Sequence, residues 1–104
     1  MKTKIIALPR LNNLSPTLES TALKLMEETG ELAQAIGKFR GLNGERVERD
    51  EAEIMKLISR ELLDVAQTAV SMMFVLEEQY GVNIKEAINE HLEKLYRKGY
   101  LSHQ

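Results

Sequence analysis

From Ile54 to Tyr80 the chain carries neither proline nor glycine, and between Leu62 and Leu76 it is apolar almost without interruption. A stretch with no breaker folds as helix, either as one long element or as two abutting ones. A helix that is apolar on most of its faces belongs inside a core or an oligomer interface. Its few polar positions, Asp64, Gln67, Thr68 and Ser71, fall on one helical line, and Glu61 extends that line by a turn. The line reads either as a solvent face or as the lining of a cavity. Solvent faces here carry lysine and long glutamate, as the stretch from Glu45 to Glu53 does, whereas short Asp, Thr and Ser side chains suit a cavity. Spacing alone leaves both readings open.

The rest of the chain is punctuated for helices as well. Ser15 is a suitable N-cap and Pro16 a suitable first helical residue. Leu18, Ala22, Leu25, Thr29, Leu32, Ile36 and Phe39 then form one stripe to about Arg40, and Gly41-Leu42-Asn43-Gly44 breaks it. Asp50-Glu51-Ala52-Glu53 reads as a capping box for the next helix, although a short helix could begin nearer Glu45. Gly81 closes that helix, and Asn83-Ile84-Lys85-Glu86 is a capping box for a last one with Ile84, Ala87, Ile88, Leu92 and Leu95 inward. Gly99 ends it. The expected fold is all-α, a single domain over residues 1–104, with 1–14 as an N-terminal arm and 101–104 as a tail.

Composition narrows the function classes. With no cysteine, thiolate zinc sites, disulfides and cysteine catalysis are excluded. A formal net charge of -2 provides no basic field for nucleic acid, so no nucleic-acid partner is expected. No run approaches the ~20 apolar residues of a membrane span, and the apolar run after Met1 is too short for a signal peptide. No membrane partner is expected, and the default location is cytoplasmic.

Two carboxylate pairs interrupt the apolar pattern. Glu28 and Glu31 lie three apart within Glu27-Glu28-Thr29-Gly30-Glu31, and Glu61 and Asp64 lie three apart within Glu61-Leu62-Leu63-Asp64. On a helix each pair shares a face. Facing pairs bring about four negative charges together, which raises carboxylate pKa values or demands a cation. All-oxygen ligation selects Mg²⁺, Mn²⁺ or Ca²⁺. No EF-hand loop points to calcium, and neither His91 nor His103 completes the Glu-x-x-His motif of di-iron bundles. Magnesium held by carboxylates commonly completes its shell with substrate phosphates, so the chemistry points to phosphoanhydride or phosphodiester cleavage.

The two motifs in this order resemble the signature of the all-α nucleoside triphosphate pyrophosphohydrolases: MazG-like proteins, dimeric dUTPases, dCTP pyrophosphatases and phosphoribosyl-ATP pyrophosphohydrolases. The resemblance runs from Leu25-Met26-Glu27-Glu28-Thr29-Gly30-Glu31-Leu32-Ala33 through Glu61-Leu62-Leu63-Asp64-Val65 to Glu93-Lys94-Leu95-Tyr96-Arg97-Lys98-Gly99-Tyr100. It implies a four-helix bundle-type, MazG-like protomer whose helices pair across subunits. It also implies Mg²⁺, with Mn²⁺ as a substitute, on Glu28, Glu31, Glu61 and Asp64. Glu27 would be a water-orienting base, and Lys94 and Arg97 would contact phosphate. The implied reaction is hydrolysis of a (d)NTP or related nucleotide between the α and β phosphates, giving the monophosphate and pyrophosphate in nucleotide-pool sanitation.

Lys38 and Arg40 could reach phosphates at the mouth of such a site, or serve as helix-end charges. Phe39 could stack on a base, but its place in the stripe favours packing. The helix from Leu62 to Leu76 has more apolar surface than a chain of this size buries alone, so a homodimer or homotetramer is expected, with the tetramer favoured. The alternative function is a noncatalytic helical oligomerisation or regulatory module with a vestigial metal site.

Overall fold

The computed structural model describes residues 1–41 and 51–103. Among these residues three helices follow one another: α1 over Leu18–Arg40, α2 over Glu51–Tyr80 and α3 over Ile84–Arg97. There is no strand among the described residues, so the fold is all-α as expected. Of the four helices anticipated, three are present among the described residues. The breaker-free stretch forms one helix of 30 residues rather than two shorter ones, and the expected capping residue Asp50 and the short helix near Glu45 lie outside the described residues.

The start of α1 differs from expectation by two residues. Thr17 is the N-cap, not Ser15: its side chain accepts from the Ser20 amide at 3.0 Å, while Ser20 Oγ accepts from the Thr17 amide at 2.8 Å. This reciprocal box, with serine in the place usually given to glutamate, satisfies two donors where Ser15 would satisfy one. The other boundaries follow the sequence. Gly41 ends α1 at φ +68°, and Gly81 and Gly99 follow α2 and α3 with positive φ. Asn83 Oδ1 accepts from the Glu86 amide at 3.0 Å and caps α3.

α1 and α2 run antiparallel along most of their length. At one end Gln79 Nε2 donates to the Pro16 carbonyl at 3.1 Å, and further along Glu28 and Glu31 meet Glu61. The buried line of α1 is not quite the stripe read from sequence. Leu18, Leu25, Leu32 and Phe39 belong to both, but the positions between them are Thr21, Glu28 and Ala35, and Ala22, Thr29 and Ile36 face out. The helix is rolled by a fraction of a turn, which carries Glu28 into the interface. Phe39 is packed, half-buried, with the Arg40 guanidinium 4.7 Å from its ring centre.

The N-terminal arm is extended and tied to α2 at several points. Arg10 Nε lies 2.8 Å from both carboxylate oxygens of Glu78, and Gln67 Nε2 donates to the Pro9 carbonyl at 2.8 Å. α3, by contrast, touches α2 sparingly and α1 not at all. Among the described residues the buried apolar core of the single chain is thin: Ala35, Ile54 and Val75. The radius of gyration is 17.0 Å, against about 13 Å for a close-packed chain of this length.

Candidate metal centre

The roll of α1 sets the centre. Glu28 is only 6% exposed, on the face of α1 that packs against α2. One turn on, Glu31 is exposed at the rim, and Glu61 approaches from α2 with its side chain half-buried. One oxygen from each of the three carboxylates lies within 4.8 Å of the others. Glu28 Oε2 and Glu61 Oε2 are both buried with no hydrogen-bond partner. A buried carboxylate oxygen without a donor is costly, and here two belong to one cluster of carboxylates. Repulsion from Glu28, with burial and the Glu61 charge adding to it, holds the Glu31 carboxyl above its ordinary range. All-oxygen donors, orphaned oxygens and crowded negative charge fit a hard divalent cation.

The fourth expected ligand, Asp64, is exposed and stands one turn beyond Glu61, outside this close trio. It lines, together with Glu28, a cleft of about 430 Å³. The cleft continues away from the carboxylates along both helices, past Thr21 on α1 and Thr68 and Ser71 on α2. Thr21, Thr68 and Ser71 are all buried. Asp64, Gln67, Thr68 and Ser71 of the polar line of α2 therefore all line this cleft, with Thr68 and Ser71 buried under α1 and Asp64 open to solvent at its mouth. Leu11 and Leu14 of the arm, with Pro16 just before α1, close one side of the cleft.

Lys24 belongs to the centre although the sequence reading passed over it. Its Nζ is 3.1 Å from Glu28 Oε1 and 4.0 Å from Glu27. Those carboxylates hold its ammonium above the ordinary lysine pKa, with the Glu28 contact the larger cause. The three- and four-residue spacings to Glu27 and Glu28 were the available signal. Glu27 itself is exposed, outside the trio and the cleft lining. Lys38, in the last turn of α1, and Lys94 and Arg97, in the last turn of α3, are likewise exposed and absent from the cleft. His91 is exposed, and His103 stacks on Tyr96 with ring centres 4.1 Å apart.

The family model of the MazG nucleotide pyrophosphohydrolase domain matches residues 16–99. The chain belongs to this family. The match takes in all three helices and every carboxylate of the MazG centre, and leaves out the arm through Ser15. No curated protein and no solved structure matches the chain. Among the described residues no helix of this MazG domain is long and apolar enough to cross a membrane.

Proposed function

We propose that the protein is a magnesium-dependent nucleotide pyrophosphohydrolase that splits a nucleoside triphosphate between its α and β phosphates. The observation that carries the metal is the pair of orphaned oxygens, Glu28 Oε2 and Glu61 Oε2, within a carboxylate trio of a MazG domain. Glu28, Glu31 and Glu61 would hold the ion, with Asp64 as the fourth carboxylate at the mouth of the cleft. Magnesium when bound, or manganese in its place, supplies the positive charge that lets a polyanionic substrate lie beside acidic side chains.

The chain's own residues then have distinct tasks. Glu28 and Glu61, held by opposite helices, fix where the charge sits, and the half-buried wall limits water around the phosphates. Lys24 stands beside Glu28 with an ammonium that can turn toward a phosphate oxygen. In hydrolysis a water oxygen bonds to the α-phosphorus and the bond from that phosphorus to the bridging oxygen breaks. Pyrophosphate leaves with the bridging oxygen, and the proton from water passes to a carboxylate or to solvent. The unit that performs this reaction is a homo-oligomer, which covers the open faces of α1, α2 and α3.

The test is pyrophosphate release from a nucleotide panel with Mg²⁺, with Mn²⁺ and with EDTA. Release that needs the cation supports the proposal. No release from any nucleotide with either metal overturns it.

A further inference from the structure

We propose that the far part of the cleft is a nucleobase site that selects adenine or cytosine, which carry an amine where hypoxanthine and uracil carry a carbonyl, and that the N-terminal arm forms its apolar wall. The inference rests on the pyrophosphohydrolase reading above. The cleft is acidic at one end only, at Glu28 and Asp64. Thr21 and Ser71 each lie seven residues from those carboxylates, about 10 Å along the helix axes. With the phosphates at the acidic end, a nucleoside spans that distance. About 430 Å³ falls within the range of small-molecule sites.

The hydrogen-bond inventory of the far end is unbalanced. Thr21 Oγ1 donates to the Thr17 carbonyl at 2.9 Å, with the Leu18 carbonyl at 3.0 Å, and Thr68 Oγ1 donates to the Asp64 carbonyl at 3.0 Å. Each hydroxyl has one proton, so both oxygens are left to the cleft as acceptors. The Gln67 amide nitrogen donates to the Pro9 carbonyl at 2.8 Å and to Ser71 Oγ at 3.5 Å, leaving its oxygen as the uncommitted atom. Ser71 Oγ accepts from that amide, so its own proton remains to meet the ring-nitrogen acceptor beside the amine. Buried acceptors complement an amine and repel a carbonyl, and a mismatch leaves polar atoms unpaired. The opposite wall, Leu11, Leu14 and Pro16, offers apolar surface to a base face.

Leu11 and Leu14 precede the matched family domain, so this wall is supplied by the chain's own arm. It is pinned rather than loose, by Arg10 on Glu78 and by Gln67 on the Pro9 carbonyl. A fixed wall defines the pocket before substrate arrives, which favours discrimination over accommodation.

The experiment compares matched pairs in which the amine and its neighbouring ring-nitrogen acceptor are exchanged for a carbonyl and a ring N–H: CTP with UTP and ATP with ITP, each also as the deoxynucleotide. We expect kcat/KM to favour the amine member by about tenfold or more in at least one pair. Thr68→Val, which keeps the shape and removes the acceptor, should bring that ratio toward one. Thr21→Val repeats the test at a second acceptor should the first variant fold poorly. Leu11→Ala with Leu14→Ala should raise KM for all nucleotides several-fold with kcat changed less. Pyrophosphate release with equal rates within both pairs, or faster release from the carbonyl members, overturns the base site while the hydrolase reading stands. Absence of release from every nucleotide defeats that reading and the base site with it.

Discussion

Lys24 Nζ lies 3.1 Å from one oxygen of Glu28, and the other oxygen of the same carboxylate is buried without a hydrogen-bond partner. One cation, reaching in from an exposed stem, thus offsets only part of the negative charge held between α1 and α2. A second, harder cation would answer the remainder. The ammonium and a metal would share Glu28, which links cation binding to the freedom of Lys24.

The first prediction follows from the orphaned oxygens. Mg²⁺ should raise the unfolding free energy, by about 2.7 kcal/mol at a concentration one hundred times its Kd. Glu61→Gln should lose most of that rise and most of the turnover. In EDTA the same variant should be as stable as the parent or more so, since it removes one of three crowded charges. Thermal unfolding with Mg²⁺ and with EDTA reads both effects. A variant that unfolds outright would assign Glu61 a structural task instead.

A pH dependence follows from Glu31. Its folded pKa is raised above the ordinary value of 4.5, chiefly by Glu28. The metal-free folded state therefore holds this proton more tightly than the unfolded chain does. The contribution is stabilising in full below about pH 4.5 and is lost as pH rises through the raised value. Glu78 acts in the opposite sense, because Arg10 lowers its pKa, so its contribution is present above 4.5 and lost in acid. Denaturant unfolding in EDTA between pH 4 and 7, compared with Glu31→Gln, isolates the first term. The variant should lose stability more steeply than the parent as pH falls through that window. With Mg²⁺ present, acid should weaken cation binding, since proton and metal compete for the same oxygens.

Much of this was legible in the sequence because helices declare themselves locally. The breaker-free run, the glycine stops and Asn83 mark the elements, and the carboxylate spacing marks the centre. What the sequence left open depended on rotation and on distant contacts. Leu18, Leu25, Leu32 and Phe39 are common to two neighbouring stripes. Periodicity alone does not decide whether Thr21 and Glu28, or Ala22 and Thr29, complete the buried line. The choice of N-cap rested on a serine-for-glutamate box between Thr17 and Ser20. The arm's place was hidden for another reason: Arg10 meets Glu78 and Pro9 meets Gln67 across most of the chain's length, and nothing local announces such pairs.

Gly30 supplies a backbone test. It lies in the middle of α1, where glycine costs about 0.5–1 kcal/mol relative to alanine. A Cβ built there meets nothing within 4 Å. Gly30→Ala should therefore stabilise the chain by about that amount, as read by denaturant unfolding under conditions where the chain is dissociated. A destabilised variant would mean that another surface comes close to this glycine in the folded unit.

The last prediction concerns assembly, and it comes from what the single chain leaves uncovered. α3 is amphipathic in sequence, yet Ile88 is 50% exposed and no residue of the helix is fully buried. Leu23 and Met26 on α1 are 70% and 72% exposed, and Leu62 and Leu63 flank the carboxylates of α2 while half exposed. Monomers seldom leave apolar surface on this scale, and a standard interface needs about 800 Å² from each partner. Sedimentation at micromolar concentration should give a dimer or tetramer of the 11.8 kDa chain. Ile88→Glu and Leu63→Glu, each placing a charge on a different open face, should shift the population toward monomer. Activity should fall with the assembled fraction if the neighbour helps to close the cleft, and raising the protein concentration should restore it by mass action. A fully active species of 11.8 kDa would show instead that one copy suffices.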